Sequence, residues 1–179
     1  MIRKALRAWS ASSSITSRAL NISTVPAKKG VYVLIIQVEN DLLVKVGHSR
    51  VVSISKGFYI YVGSALKNLR LRLRRYICSS FRKKFWHIDY ILSEDSVKLR
   101  GIVYSLCALK VEPSVALTLL GLGFKVVSEG LGSSEYNWKG YSHFLKAPRE
   151  VSLERTVKLV EEAFNAVGLK PNTIICDHR

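Results

Sequence analysis

Apolar and polar positions along this chain follow two rhythms, one of period two and one near 3.6, and these predict the elements. Val31 to Val38 is an apolar run rich in β-branched residues, which predicts a central strand. Glu39-Asn40-Asp41 reads as a turn and Leu42 to Val46 as the returning strand of an antiparallel hairpin. Val51 to Ile54 is a third short strand, and Lys56-Gly57 turns the chain into Phe58-Tyr59-Ile60-Tyr61-Val62, where aromatic and β-branched residues alternate. A Gly63-Ser64 break then leads into a basic helix. Leu66, Leu69, Leu73 and Ile77 recur on it at helical spacing and form the stripe expected to be buried. Lys67, Arg70, Arg74 and Arg75 then face water, while Arg72 and Tyr76, four apart, share one flank.

Further on, His87 to Leu92 is apolar at alternate positions, and Lys98 to Leu106 reads as another strand. Glu112-Pro113-Ser114 starts a helix carrying Val115, Ala116, Leu119 and Leu120, which Gly121 and Gly123 end. Phe124 to Ser128 and Ser142 to Leu145 are strands on either side of a glycine- and serine-rich loop, Gly130 to Gly140, that holds Tyr136 and Trp138. Glu150 to Val167 is an amphipathic helix with Leu153, Val157, Val160 and Phe164 on one face. A loosely held tail is expected after Gly168-Leu169-Lys170-Pro171. The expected architecture is α/β in the α+β sense, a mainly antiparallel central sheet flanked by helices. It would occupy residues 28–148, followed by a C-terminal helix and tail over 149–179.

Composition narrows the picture. A chain of 179 residues, 48% hydrophobic with a mean hydropathy of +0.13, is long enough and apolar enough for a real core, which excludes global disorder. No run of about 18 uncharged apolar residues occurs, so no membrane span is expected. Cys78, Cys107 and Cys176 are far apart and form no C-x-x-C pair, which points to reduced thiols rather than a disulfide framework or a zinc knuckle. Residues 1–27 carry Arg3, Lys4, Arg7 and Arg18 among dense serines, with no acid before Glu39. That stretch reads as a flexible basic arm or as a start codon placed too far upstream; in a eukaryote it would read as a mitochondrial transit peptide.

Charge adds a partner. The formal net charge is +15, with a pI near 10.0, and such a balance calls for a polyanion, nucleic acid first; a generally basic surface without a specific role is the bland alternative. Between Lys67 and His87 stand Lys67, Arg70, Arg72, Arg74, Arg75, Arg82, Lys83 and Lys84 with no acid, interleaved with aromatic residues. Lysine and arginine neutralise backbone phosphates and aromatic faces stack on bases, whereas a merely solvated helix face normally carries compensating carboxylates. His87-x-Asp89 suits a structural hydrogen bond better than a metal. Glu112, at a helix N-terminus, reads equally as a capping acid and as a metal ligand.

Gly30-Val31-Tyr32 on one core strand, Tyr61-Val62-Gly63 on another, and the helix pattern Asn68-Leu69-x-x-Arg72-Leu73-x-x-Tyr76 resemble the GIY-YIG nuclease superfamily. Gly57 to Ala65, Trp86-His87-Ile88-Asp89-Tyr90, Gly132-Ser133-Ser134 and Ser142-His143-Phe144 are similar to one prokaryotic, mainly archaeal branch of it. Members of that branch also occur fused to endonuclease III-type repair glycosylases. The resemblance covers roughly residues 29–147. Where relatives carry a C-x-C cluster before S-H-x-F, this chain has Ser134 to Tyr141.

The resemblance implies that Tyr32 and Tyr61 line an active site and that one of them assists deprotonation of a water. It also implies that Arg72 steadies a phosphate, that Tyr76 occupies the position usually held by histidine, and that Glu112 binds one divalent cation, Mg2+ or Mn2+. Glu94, Asp95 and Glu129 are other candidates for that acid. The physical chemistry agrees: one hard cation polarises a phosphoryl oxygen, and a planar guanidinium suits a pentavalent phosphorus. A tyrosine acting as base needs its pKa lowered by nearby positive charge. The expected activity is metal-dependent cleavage of nucleic acid, DNA first, in a repair setting; the rival is an inactive binding module of the same fold. The expected location is cytoplasmic, or mitochondrial if the source is eukaryotic and residues 1–27 are a transit peptide.

Overall fold

The computed structural model describes residues 22–77, 84–136 and 138–176. The basic arm up to residue 21, Cys78, Arg82 and Lys83 lie outside the described residues.

The central strand is β1 (Gly30–Val38), buried along nearly its whole length, as its unbroken apolar run requires. It pairs antiparallel with β4 (Gly57–Ala65) on one side and β5 (Val97–Leu106) on the other. With β6 (Lys125–Val126), β7 (Phe144–Lys146) and β8 (Asn172–Ile175) these form a six-stranded sheet in the order β6-β7-β4-β1-β5-β8. Every pairing in it is antiparallel. The β2 (Leu42–Val46) and β3 (Arg50–Ile54) strands pair with each other in a separate two-stranded sheet. The expected hairpin between the first two strands is therefore not formed. Both long edges of β1 are taken by longer partners, and β2 returns instead over the sheet's face.

Side chains of the six-stranded sheet alternate between two cores. Tyr32, Leu34 and Ile36 of β1 join Tyr59 and Tyr61 of β4 and Ile102 of β5 on one face. That face is covered by the β2–β3 hairpin, α1 (Leu69–Ile77) and α2 (His87–Leu92). Val31, Val33, Ile60, Val62 and Val103 face the other way, against α3 (Glu112–Gly121) and α4 (Leu153–Ala166). The mixed α/β class, with its antiparallel sheet and flanking helices, is as expected. The C-terminal helix and tail are built into this same body. Val157, Val160 and Phe164 of α4 fill the second core, and β8 pairs along β5.

Several local expectations change. The basic helix starts at Leu69, where the Asn68 side chain accepts the Leu71 N–H at 3.0 Å, so Leu66 precedes it and is 58% exposed rather than buried. The period-two run His87–Leu92 is a helix, because buried Ile88 and Ile91 stand three apart and Asp89 accepts the N–H groups of Phe85 and Trp86. The tail expected to be loose is strand β8, and Cys176 beyond it is buried. Before β1, Ile22–Thr24 makes one 3-10 turn and Val25 is fully buried. Among the described residues no helix is long and apolar enough to cross a membrane.

Candidate functional site

Two glycines shape the site. Gly63 on β4 stands opposite Tyr32 on β1, and a Cβ there would lie 2.5 Å from the Tyr32 hydroxyl, so the phenol occupies the space of the missing side chain. Gly132, in the loop before β7, has φ +78° and faces the ring of Tyr61, which a Cβ would strike. Tyr32 and Tyr61 therefore sit on neighbouring strands with their rings on one face. Tyr32 Oη lies 2.8 Å from Tyr76 Oη of α1. Arg72, one helical turn before Tyr76, lies beside that same hydroxyl and holds its Cζ 4.8 Å from the centre of the Trp86 ring.

Glu112 reaches the site from the opposite layer. It is the first residue of α3, whose next turns bury Val115, Ala116 and Leu119 in the second core. β7 pairs with β4 as far as Tyr61 and the His143 carbonyl still takes the Val62 N–H, so beyond it Gly63 and Ser64 help line an opening between the layers. Tyr32, Tyr61, Arg72 and Glu112 all line this one cavity of about 300 Å³, with Trp86, His87, Glu135 and His143 around them. Glu112 is 6% exposed, and its Oε2 has no hydrogen-bond partner among the described residues. A buried carboxylate oxygen without a donor is costly and marks a place for a cation or a donor from outside.

Burial dominates the electrostatics. It pushes the Tyr32 and Tyr61 phenols well above the ordinary tyrosine value; neighbouring Tyr76 adds to the shift and Arg72 opposes it without cancelling it. Burial disfavours the charge on Arg72, but the oxygens of Tyr32 and Tyr76 outweigh it and hold the guanidinium firmly protonated. Both phenols are thus neutral donors at neutral pH, and Arg72 alone does not lower them. His87 and His143 are lowered by burial. Neutral His87 accepts the Gly132 N–H at Nδ1 (3.0 Å), which leaves its other nitrogen protonated. His143 Nε2 lies 2.7 Å from the Tyr141 hydroxyl.

The expected site residues divide accordingly. Tyr32, Tyr61, Arg72, His87 and Glu112 line the cavity, and Tyr76 stands behind it, bonded to Tyr32 and beside Arg72. Lys67, Arg74 and Lys84 are exposed, and Lys67 lines an adjoining groove with Arg72 and Trp86. Two arginines expected to face water are engaged within the protein. Arg70 Nε donates to the Val25 carbonyl at 2.6 Å, and Arg75 pairs with fully buried Asp89 at 2.5 Å. Asp89 is thus the compensating acid of the basic run, and Trp86-His87-Ile88-Asp89-Tyr90 is a device for fixing α2 against α1. Glu94, Asp95 and Glu129 do not line the cavity, whereas Glu135 does. Glu135 and His143 carry no role in the sequence reading. Glu135 is signalled only by its place in the Gly130–Gly140 loop, and His143 also by the Ser142-His143-Phe144 block; only the fold brings that loop back onto β4.

No curated protein and no solved structure matches the chain. Residues 31–166 match the model of the family described as a domain of unknown function, DUF123, and the chain belongs to that family.

Proposed function

We propose that this chain is a GIY-YIG-type phosphodiesterase that cleaves nucleic acid, DNA first, with one divalent cation, Mg2+ or Mn2+. A single observation carries the reading. Two phenols, one guanidinium and one carboxylate with an unpartnered buried oxygen converge on one cavity, although they come from four elements and both layers. The donor set fits such a cation, since Mg2+ is commonly held by one or two carboxylates with waters completing its shell. Glu112 would hold it, with Glu135 in the same wall, and the bound ion would polarise a phosphoryl or leaving-group oxygen. Arg72 is permanently charged and fixed by Trp86 and Tyr76, so it offers preorganised donors to a phosphate entering the cavity. The neutral hydroxyls of Tyr32 and Tyr61 orient a water or a phosphate oxygen by hydrogen bonding.

A second reading, a nucleic-acid-binding module without turnover, has its own support. Burial raises both phenols, which removes the ready base, and among the described residues no group of three or more His, Cys, Asp or Glu is arranged to hold a metal. The two readings separate in one assay, nicking of supercoiled plasmid with Mg2+ or Mn2+ against chelator. The nuclease reading expects nicking that requires metal and falls on the order of 100-fold in Arg72→Ala. It also expects a comparable loss in Glu112→Gln, which keeps the size and removes the charge. Metal-dependent binding or nicking that neither variant alters would remove the assignment.

A further inference from the structure

We infer that the site accepts a nucleotide that is unpaired, its base stacked on the exposed rings of Phe85 and Trp86 while its phosphate enters the cavity; this rests on the nucleic-acid reading above and names its substrate class. Phe85 is 72% and Trp86 41% exposed, and both line the cavity mouth with Leu66, 58% exposed. The two rings meet edge to face with centroids 5.4 Å apart. Among the described residues neither ring joins a core: Arg72 takes Trp86 by a cation–π contact, while Phe85 is left to the water.

Their backbone, by contrast, is held firmly. Asp89 Oδ2 accepts both N–H groups at 2.8 and 2.9 Å, and Arg75 locks that carboxylate. The rings are thereby presented with little ordering left to do on binding. Exposed Lys84 immediately precedes Phe85, and Lys67 and Arg72 line a groove together with Trp86. Apolar ring faces set among cations complement bases joined by phosphates, and every base has a face to stack. A paired base in a duplex has both faces covered by its neighbours. Only an unpaired, bulged or terminal nucleotide can offer one, and the cavity of about 300 Å³ beside the rings has room for its phosphate.

The test is equilibrium binding by fluorescence anisotropy in chelator, so that turnover plays no part. The full chain is titrated with a hairpin whose strands are joined by a non-nucleotide linker so that every base is paired, the same hairpin carrying a single-stranded tail, and one with an abasic tail of equal charge, each as DNA and as RNA. The tailed hairpin should bind roughly 10-fold or more tightly than the paired and abasic ones, and the tighter of the DNA and RNA arms names the sugar. Phe85→Ala with Trp86→Ala should bring the tailed hairpin down to the affinity of the abasic one, and Trp86→Phe should keep the preference. These side chains are exposed, and a thermal melt matching the parent verifies that the variants fold. Equal affinity of the parent for all three forms, or a preference that survives in the double alanine variant, overturns the inference. Absent nicking with the preference intact would instead remove the nuclease reading alone.

Discussion

At the scale of single residues, the site is defined as much by two absent side chains as by those present. Gly132 holds φ +78° against the Tyr61 ring, and Gly63 leaves the space that the Tyr32 hydroxyl fills. Alanine at Gly132 would combine a left-handed backbone penalty of about 1 kcal/mol with displacement of the phenol. Because a shift near 1 Å in a positioning group can cost on the order of 100-fold in rate, Gly132→Ala should lose most nicking activity while still folding. Circular dichroism alongside the plasmid assay checks both halves, and full activity in a folded Gly132→Ala protein would show that Tyr61 does not work from its present place. Tyr32, Tyr61 and Arg72 were legible through the Gly30-Val31-Tyr32, Tyr61-Val62-Gly63 and Asn68-to-Tyr76 patterns and the resemblance they carry. The sequence could not reveal that burial raises the phenols instead of lowering them, because that depends on Tyr76 and on the depth of the cavity.

At the scale of elements, the legible parts were those whose pattern has one solution. The β1 run, buried on both faces, and the α4 stripe of Val157, Val160 and Phe164 admit little else. The short elements were decided by tertiary partners. His87–Leu92 alternates like a strand, yet Asp89 gathers the N–H groups of Phe85 and Trp86 and the guanidinium of Arg75 into a helix start. Likewise Asn172–Ile175 holds only as the neighbour of Gly101–Tyr104. This gives α1 and α2 a shared dependence. Arg75→Ala would leave the Asp89 carboxylate buried with only backbone donors, at a cost of about 2 to 3 kcal/mol. For a body of this size that corresponds to roughly 5 to 10 °C in melting temperature. Arg74→Ala, one residue away and exposed, should move it by about 1 °C or less. Equal melting temperatures for the two variants would mean that the Arg75–Asp89 pair holds nothing together.

At the scale of the whole molecule, the formal charge of +15 attracts any polyanion, and the fold decides where that attraction becomes contact. Arg70 and Arg75 are spent inside the protein on the Val25 carbonyl and Asp89, which leaves Lys67, Arg72, Arg74 and Lys84 as the described cations of the basic stretch that can meet phosphate. Each phosphate neutralised on a single strand steepens the fall of log affinity with log salt by about 0.7. Four such contacts give a contribution near 3 to that slope, and further cations of the chain add to it. The informative quantity is therefore the change between variants. Arg74→Ala should flatten the slope for a single-stranded oligonucleotide by about 0.7, whereas Lys158→Ala, exposed on α4 in the other layer, should leave it unchanged. Each of these substitutions removes one positive charge, so a long-range field from net charge alone predicts the same small effect for both. A slope that responds to Arg74 and not to Lys158 assigns the contact to the α1 side of the sheet; equal responses would leave a diffuse basic surface in its stead.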